Sequence, residues 1–286
     1  MQIFREIPPL RAFVRSRRQA GDAVGFVPTM GFLHDGHLSL VREAGKRAGC
    51  VVVSIFVNPT QFGPNEDLDT YPRDEAGDLA KCEAAGAAAV FLPRVWEMYP
   101  SEPLTTVRVA GMTDRLCGAS RPTHFDGVTT IVTKLFQVVQ PDVAVFGQKD
   151  FQQLAVIRRM VRELHMPIDI VGMPTAREAD GLALSSRNAY LSPAQRADAP
   201  RLQQALQAAR AEVAAGVLDA EILIERAREK IQGSPHARID YIEVVHPATL
   251  DPVGVIGPDG AVMALAVFMG ETRLIDNLRL DDRNAA

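Results

Sequence analysis

His34 and His37 stand three positions apart in the stretch PTMGFLHDGHLSLV, which also carries Gly31 and Gly36. Two imidazoles so spaced can give charge-assisted hydrogen bonds to a single anion, and the glycines let the backbone turn tightly beside it. The same pair can serve as solvated turn residues or as metal ligands, but the HExxH helix spacing and a nearby third ligand for zinc are absent. Three more polar clusters can do chemistry. NPTQF brings Asn58 and Gln61, neutral amides that donate and accept at once and so suit a substrate with hydroxyls beside a carboxylate; they also serve ordinary turns. FGQKDFQQL brings Gly147, which permits close approach, Lys149 as a point charge for phosphate, and Asp150, which can cap a helix or bind a ribose hydroxyl. ALSSRN brings the hydroxyls of Ser185 and Ser186 and the guanidinium fork of Arg187, suited to phosphate oxygens. Neither GxxxxGK[ST] nor GxGxxG occurs, so phosphate binding must use these other loops.

Each cluster follows an apolar run, and in open parallel sheets ligands bind outside the carboxyl ends of the strands. VGFVP precedes the HDGH turn, CVVVSIFV precedes NPTQF, DVAVF precedes FGQKD, and IDIVGMP comes shortly before ALSSRN. Helices are expected between them: from about His37, where free amides can meet a phosphate, from about Arg73 to Ala85, over GVTTIVTKLFQVVQ up to Pro141, and over FQQLAVIRRMVREL. This alternation predicts an α/β, Rossmann-like parallel-sheet domain over 1–174. The texture changes after Pro174. SPAQRADAPRLQQALQAARAEVAAG opens on a capping signature at Ser192, Pro193 and Gln195 and sets Leu202, Ala205, Leu206, Ala209 and Val213 on one face, so one helix is expected. A second, roughly Ala220 to Gln232, stops at Gly233, and RIDYIEVVH and AVMALAVFM read as strands. The expectation for 175–286 is a smaller α+β domain with the SSRN loop near its start.

Bulk properties exclude several functions. With 286 residues, 47% of them hydrophobic, the chain can bury a large core and a companion. A net charge of -4 gives no general attraction for nucleic acid. The opening MQIFREIPPLRAFVRSRR lacks the apolar core of a secretory signal, and the longest apolar runs fall short of the ~20 residues that span a bilayer. Cys50, Cys82 and Cys117 are odd in number and form no CxxC pair, so reduced, mostly buried thiols are expected in a cytoplasmic protein without nucleic-acid or membrane partners.

HDGH resembles the HxGH signature of the nucleotidylyltransferase and class I aminoacyl-tRNA synthetase superfamily, and LSSRN occupies the place of its second phosphate-binding loop. PTMGFLHDGHLSLV, VSIFVNPTQF, HFDGVTTIVTKLF, FGQKDFQQL and DGLALSSRNAYL, in this order, are similar to the pantothenate synthetase (pantoate-β-alanine ligase) family. The resemblance implies ATP-dependent condensation of (R)-pantoate with β-alanine to pantothenate, AMP and pyrophosphate through a pantoyl adenylate, with Mg²⁺ accompanying ATP. It implies catalytic roles for His34, His37 as proton donor, and Lys149. An ATP site follows from Met30, Gly31, His34, His37, Gly147, Lys149, Asp150, Ala176, Leu184, Ser185, Ser186 and Arg187. Gln61, Gln153 and Asn58 would hold pantoate, and Gln61 also β-alanine. Arg121 and His124 lie near the site in this family, which forms homodimers through its first domain. A nucleotidylyltransferase that stops at adenylation would share HDGH but leave NPTQF and DFQQL without a task.

Overall fold

Six short, mostly apolar strands pair in parallel: β1 (Gln2–Phe4), β2 (Val24–Thr29), β3 (Cys50–Ile55), β4 (Ala89–Phe91), β5 (Val143–Gly147) and β6 (Asp169–Met173), in the spatial order β1-β4-β3-β2-β5-β6. The structure is a computed structural model and describes residues 1–64 and 66–281. Its α/β class and Rossmann-like sheet agree with the sequence expectation. β2 to β4 run outward in one direction and β5 and β6 in the other, so the topological switch point falls between β2 and β5. The helix Asp35–Arg47 buries Leu38, Val41 and Ala44 against Val27, Val53 and Val145.

The helix His124–Val139 forms in spite of its β-branched residues, because ten of its positions are buried and tertiary packing outweighs a propensity deficit of tenths of a kcal/mol per residue. Its Phe136 packs edge-on against Phe26 and Phe146, with ring centroids 6.2 and 6.4 Å apart. Gln140, at φ 52°, ends it before Pro141. β1 and the helix Ile7–Gln19, with Pro8 and Pro9 in its first turn, lie outside the elements expected from the sequence.

A second sheet is antiparallel, β7 (Ala237–Val245), β8 (Val262–Met269) and β9 (Thr272–Arg279) in that order. Leu206, Leu223, Ile231, Leu265 and Val267, all fully buried, form the core between this sheet and its helices. The single helix expected after Ser192 is two helices, Pro193–Asp198 and Arg201–Ala214. Pro200 separates them, since its ring supplies no amide and clashes with a preceding helical turn. The capping box at Ser192 is present: its hydroxyl accepts from the Gln195 amide at 3.3 Å and its own amide donates to Gln195 Oε1 at 2.9 Å.

Two compact units result. One comprises 1–110, 121–148 and 156–174, and the other 111–120, 149–155 and everything from Thr175 onward. Cys50, Cys82 and Cys117 are buried and form no disulfide, and burial pushes the Cys82 thiol up to about 12. Among the described residues no helix is long and apolar enough to cross a membrane.

Candidate functional site

In the first unit the chain leaves β2 at the switch point and turns sharply at Gly31 (φ 85°) and Phe32 (φ 49°). A left-handed pair of this kind aims successive amides one way, and here they meet a carboxylate. The amides of Phe32 and Leu33 both donate to Asp78, at 2.7 Å each, from the helix Glu75–Ala84, where Asp78 is 1% exposed. Lys81, one turn further, donates to the Leu33 carbonyl at 2.8 Å. The turn is therefore held from behind by two residues that sequence reading missed. Their only signal is an Asp and a Lys three apart in EAGDLAKCEA, a spacing any exposed helix face can show.

So held, the turn delivers His34 as the residue before the helix and His37 in its first turn; Gly36 lies within the helix and takes no part in the turn. The rings stack with centroids 4.0 Å apart. The His34 amide donates to His37 Nδ1 at 3.3 Å, which leaves the proton of the neutral ring on Nε2, the atom required to donate to an anion. Among the described residues no group of three or more His, Cys, Asp or Glu is placed to hold a metal ion.

β3 runs beside β2 with Ile55 opposite Thr29, so the loop after β3 emerges beside the histidine turn. Asn58, 1% exposed, organises that loop: Nδ2 donates to Gln61 Oε1 at 3.0 Å and to the Gly127 carbonyl at 3.2 Å, and Oδ1 accepts from Tyr99 at 2.8 Å and Thr60 at 3.1 Å. Gln61 Nε2 lies 3.2 Å from Met30 Sδ, which brings Met30, Asn58 and Gln61 together. Gly127 permits this arrangement, because a Cβ there would lie 2.6 Å from the Thr60 carbonyl carbon and 2.7 Å from Gln61 Cα. Gly147 ends β5, and the space where its Cβ would stand is open.

Arg121 and His124 fasten the same loop. Arg121 grips Glu66 with two nitrogens, Nε at 2.7 Å, and also donates to the Gln61 carbonyl at 3.3 Å, while His124 Nδ1 lies 2.8 Å from that carbonyl and its Nε2 lies 3.2 Å from Arg121. Burial alone pushes the Glu66 carboxyl up, but the Arg121 guanidinium, the Gly63 amide and His124 outweigh it and hold the group below its usual range. A depressed acid stabilises the fold above its unfolded value of about 4.3 and stops doing so as pH falls through the folded value. Acidification below the unfolded value should therefore loosen the loop that Glu66 and Arg121 hold, read as a fall in the amide protection factors of that loop after correction for the intrinsic rate at each pH, and Glu66→Gln should abolish that pH-dependent step. Protection factors at these amides that stay flat across the same range would refute the coupling.

The other expected site residues lie in the second unit. Gln148–Asp150 forms a single 3₁₀ turn carrying Lys149 and Asp150, and Gln153 follows in the first turn of the helix Phe151–Glu163. Between them Gln152, 6% exposed, donates to the carbonyls of Met112 and Arg115 and accepts from the Cys117 amide at 3.0 Å, so it faces the protein interior. Ala176 and Leu184, both expected at the ATP site, are partners: the Leu184 amide donates to the Ala176 carbonyl at 2.9 Å, and Arg177 bridges Ala183 beside them. That narrow hairpin presents Ser185, Ser186 and Arg187 at its exit, with the Arg187 amide donating to Ser185 Oγ at 3.3 Å. Each unit thus assembles its own set: Met30, Gly31, His34, His37, Asn58, Gln61 and Gly147 in the first, and Lys149, Asp150, Gln153, Ala176, Leu184, Ser185, Ser186 and Arg187 in the second.

Residues 2–279 match the family model for pantoate-beta-alanine ligase. The pantothenate synthetase of Moorella thermoacetica is 52% identical over 281 residues, which cover 98% of this chain and 99% of that one. A crystal structure of pantothenate synthetase from Thermus thermophilus superimposes with a TM-score of 0.92 at 48% identity, covering 98% of this chain and 99% of its own. A crystal structure of pantoate-beta-alanine ligase from Francisella tularensis, complexed with beta-gamma ATP and beta-alanine, gives a TM-score of 0.80 at 31% identity with 98% of each chain covered. The chain therefore belongs to the pantoate-beta-alanine ligase family.

Proposed function

We propose that this protein joins pantoate to β-alanine at the expense of ATP, forming pantothenate, AMP and pyrophosphate through a pantoyl adenylate. The observation that carries the reading is the match to the family over residues 2–279, with the HDGH turn placed at the switch point of the sheet. The carboxylate of pantoate is a poor acyl donor, because its leaving group would be oxide. In the first step its oxygen attacks the α-phosphorus of ATP and the bond to the β,γ-pyrophosphate breaks. In the second the β-alanine amine attacks the acyl carbon, loses a proton and displaces AMP.

His37, with its proton on Nε2, donates to phosphate oxygen as charge moves onto the pyrophosphate, and His34 supports it. Lys149, Ser185, Ser186 and Arg187 hold the triphosphate, Gly147 and Asp150 the ribose, and Met30, Gly31, Ala176 and Leu184 the rest of the nucleotide. Gln61 and Gln153 orient pantoate, Gln61 also receives β-alanine, and Asn58 serves pantoate by fixing the Gln61 amide. The Francisella tularensis complex supports ATP and β-alanine as ligands. Mg²⁺ would accompany ATP and would supply neutralisation of the phosphate charge, with no residue of this chain assigned to hold it. The ATP- and pantoate-binding part is 1–174, the part from 175 brings the SSRN loop, and the working form is a cytoplasmic homodimer.

Because the adenylate forms before the amine is needed, pantoate alone should support exchange of labelled pyrophosphate into ATP. Exchange that required β-alanine would refute the two-step order.

A further inference from the structure

Two pieces of the second unit carry its phosphate-facing residues, one at Lys149 and one at Ser185 to Arg187, and nothing in their local sequence says what sets the distance between them. Consecutive residues of β9 hold both. The Asn277 side chain donates to the Lys149 carbonyl at 2.8 Å. Asp276, 3% exposed, takes both terminal nitrogens of Arg177, at 2.6 and 2.9 Å, and accepts the Asn277 amide at 2.8 Å. Arg177 in turn donates to the Gly181 carbonyl at 3.1 Å and bridges Ala183, which places it at the root of the hairpin that ends in ALSSRN. Adjacent side chains on a strand point to opposite sides, so one short stretch of β9 reaches two elements at once.

β9 is an edge strand with β8 as its partner over all eight residues, Val262 opposite Arg279 through Met269 opposite Thr272, so its position is fixed by the antiparallel sheet. A bidentate Arg–Asp pair with the acid buried gives a fixed geometry that a single exposed ion pair does not.

We infer that Asp276 and Asn277 are positioning residues for ATP: through them β9 sets the spacing between Lys149 and the SSRN loop. This rests on the reading that Lys149 and Ser185 to Arg187 hold the triphosphate. The strand itself touches no substrate, and its whole effect passes through Lys149 and Arg177.

The test is steady-state kinetics with ATP and pantoate varied separately, together with thermal melting, on Asn277→Ala, Lys149→Ala and the double variant. Losing the hydrogen bond to the Lys149 carbonyl in Asn277→Ala should raise the apparent ATP constant about tenfold, leave the pantoate constant within about twofold, and add less than about twofold once Lys149 is already Ala. Asp276→Asn, which keeps a carbonyl for Arg177, should retain more ATP affinity than Asp276→Ala. An unchanged ATP constant in Asn277→Ala, beside a raised one in Lys149→Ala, overturns the inference. So does an effect that is equal for pantoate, or undiminished in the Lys149→Ala background, since either makes β9 general scaffolding. An unchanged ATP constant in Lys149→Ala itself overturns the reading of Lys149 instead.

Discussion

His37→Ala should slow adenylate formation by at least ~10²-fold, the usual cost of removing one donor aimed at developing charge. The ring is only partly buried, so the fold should survive its loss. What disappears is an imidazole whose tautomer the His34 amide has already selected, at 3.3 Å from Nδ1. Single-turnover measurement with ATP and pantoate isolates the step, and pyrophosphate exchange reports it independently. A folded variant that formed adenylate at the wild-type rate would remove His37 from the chemistry and leave it a stacking partner for His34.

Asp78→Ala should be the most damaging single change to the scaffold of the site. It strips the acceptor from two backbone amides at once, those of Phe32 and Leu33, in a place where the acid is 1% exposed and no bulk water stands ready to replace it. Two hydrogen bonds to a charged group, lost with both donors left in place, correspond to about 3–5 kcal/mol. Urea denaturation should show the midpoint falling accordingly, and the surviving folded protein should adenylate pantoate poorly because the histidine turn has lost its backing. Asp35→Ala, an exposed acid in the first turn of the neighbouring helix, is the comparison and should cost less than about 1 kcal/mol. Equal midpoints for the two variants would mean that the turn holds its shape without Asp78.

The parts of this molecule that are legible in the sequence are those in which chemistry and periodicity are local. The strand, turn and helix around HDGH can be read from VGFVP, Gly31 and an amphipathic run that follow one another closely, and the alternation repeats for the later strands. Contacts between distant segments leave no such trace. Glu66 and Arg121, or Asp78 and the amides of Phe32 and Leu33, are separated by 55, 46 and 45 positions, and each side chain alone looks like an ordinary surface charge. Asn58 illustrates the middle case. The amide-rich loop is recognisable, but the four hydrogen bonds of the Asn58 side chain are not, and they make it a support for Gln61. β9 escapes a reading by pattern because TRLIDNLR carries two arginines, an Asp and an Asn, and the buried Asp276 is acceptable in a strand only because Arg177 neutralises it. The break at Pro200 is a different matter, since proline inside a helical pattern ends it at once and the signal is plain in the sequence.

The chain passes from one unit to the other five times, after 110, 120, 148, 155 and 174. During synthesis the pieces 111–120 and 149–155 emerge well before the segment from Thr175 that completes their unit, so Gln152 can already meet Met112, Arg115 and Cys117 while Lys149 must wait for β9, not yet made. A fragment ending at Pro174 would carry both pieces as orphans. Autonomous expression of either unit should therefore yield insoluble material, and unfolding of the whole chain should be cooperative, one transition seen alike by probes in both units.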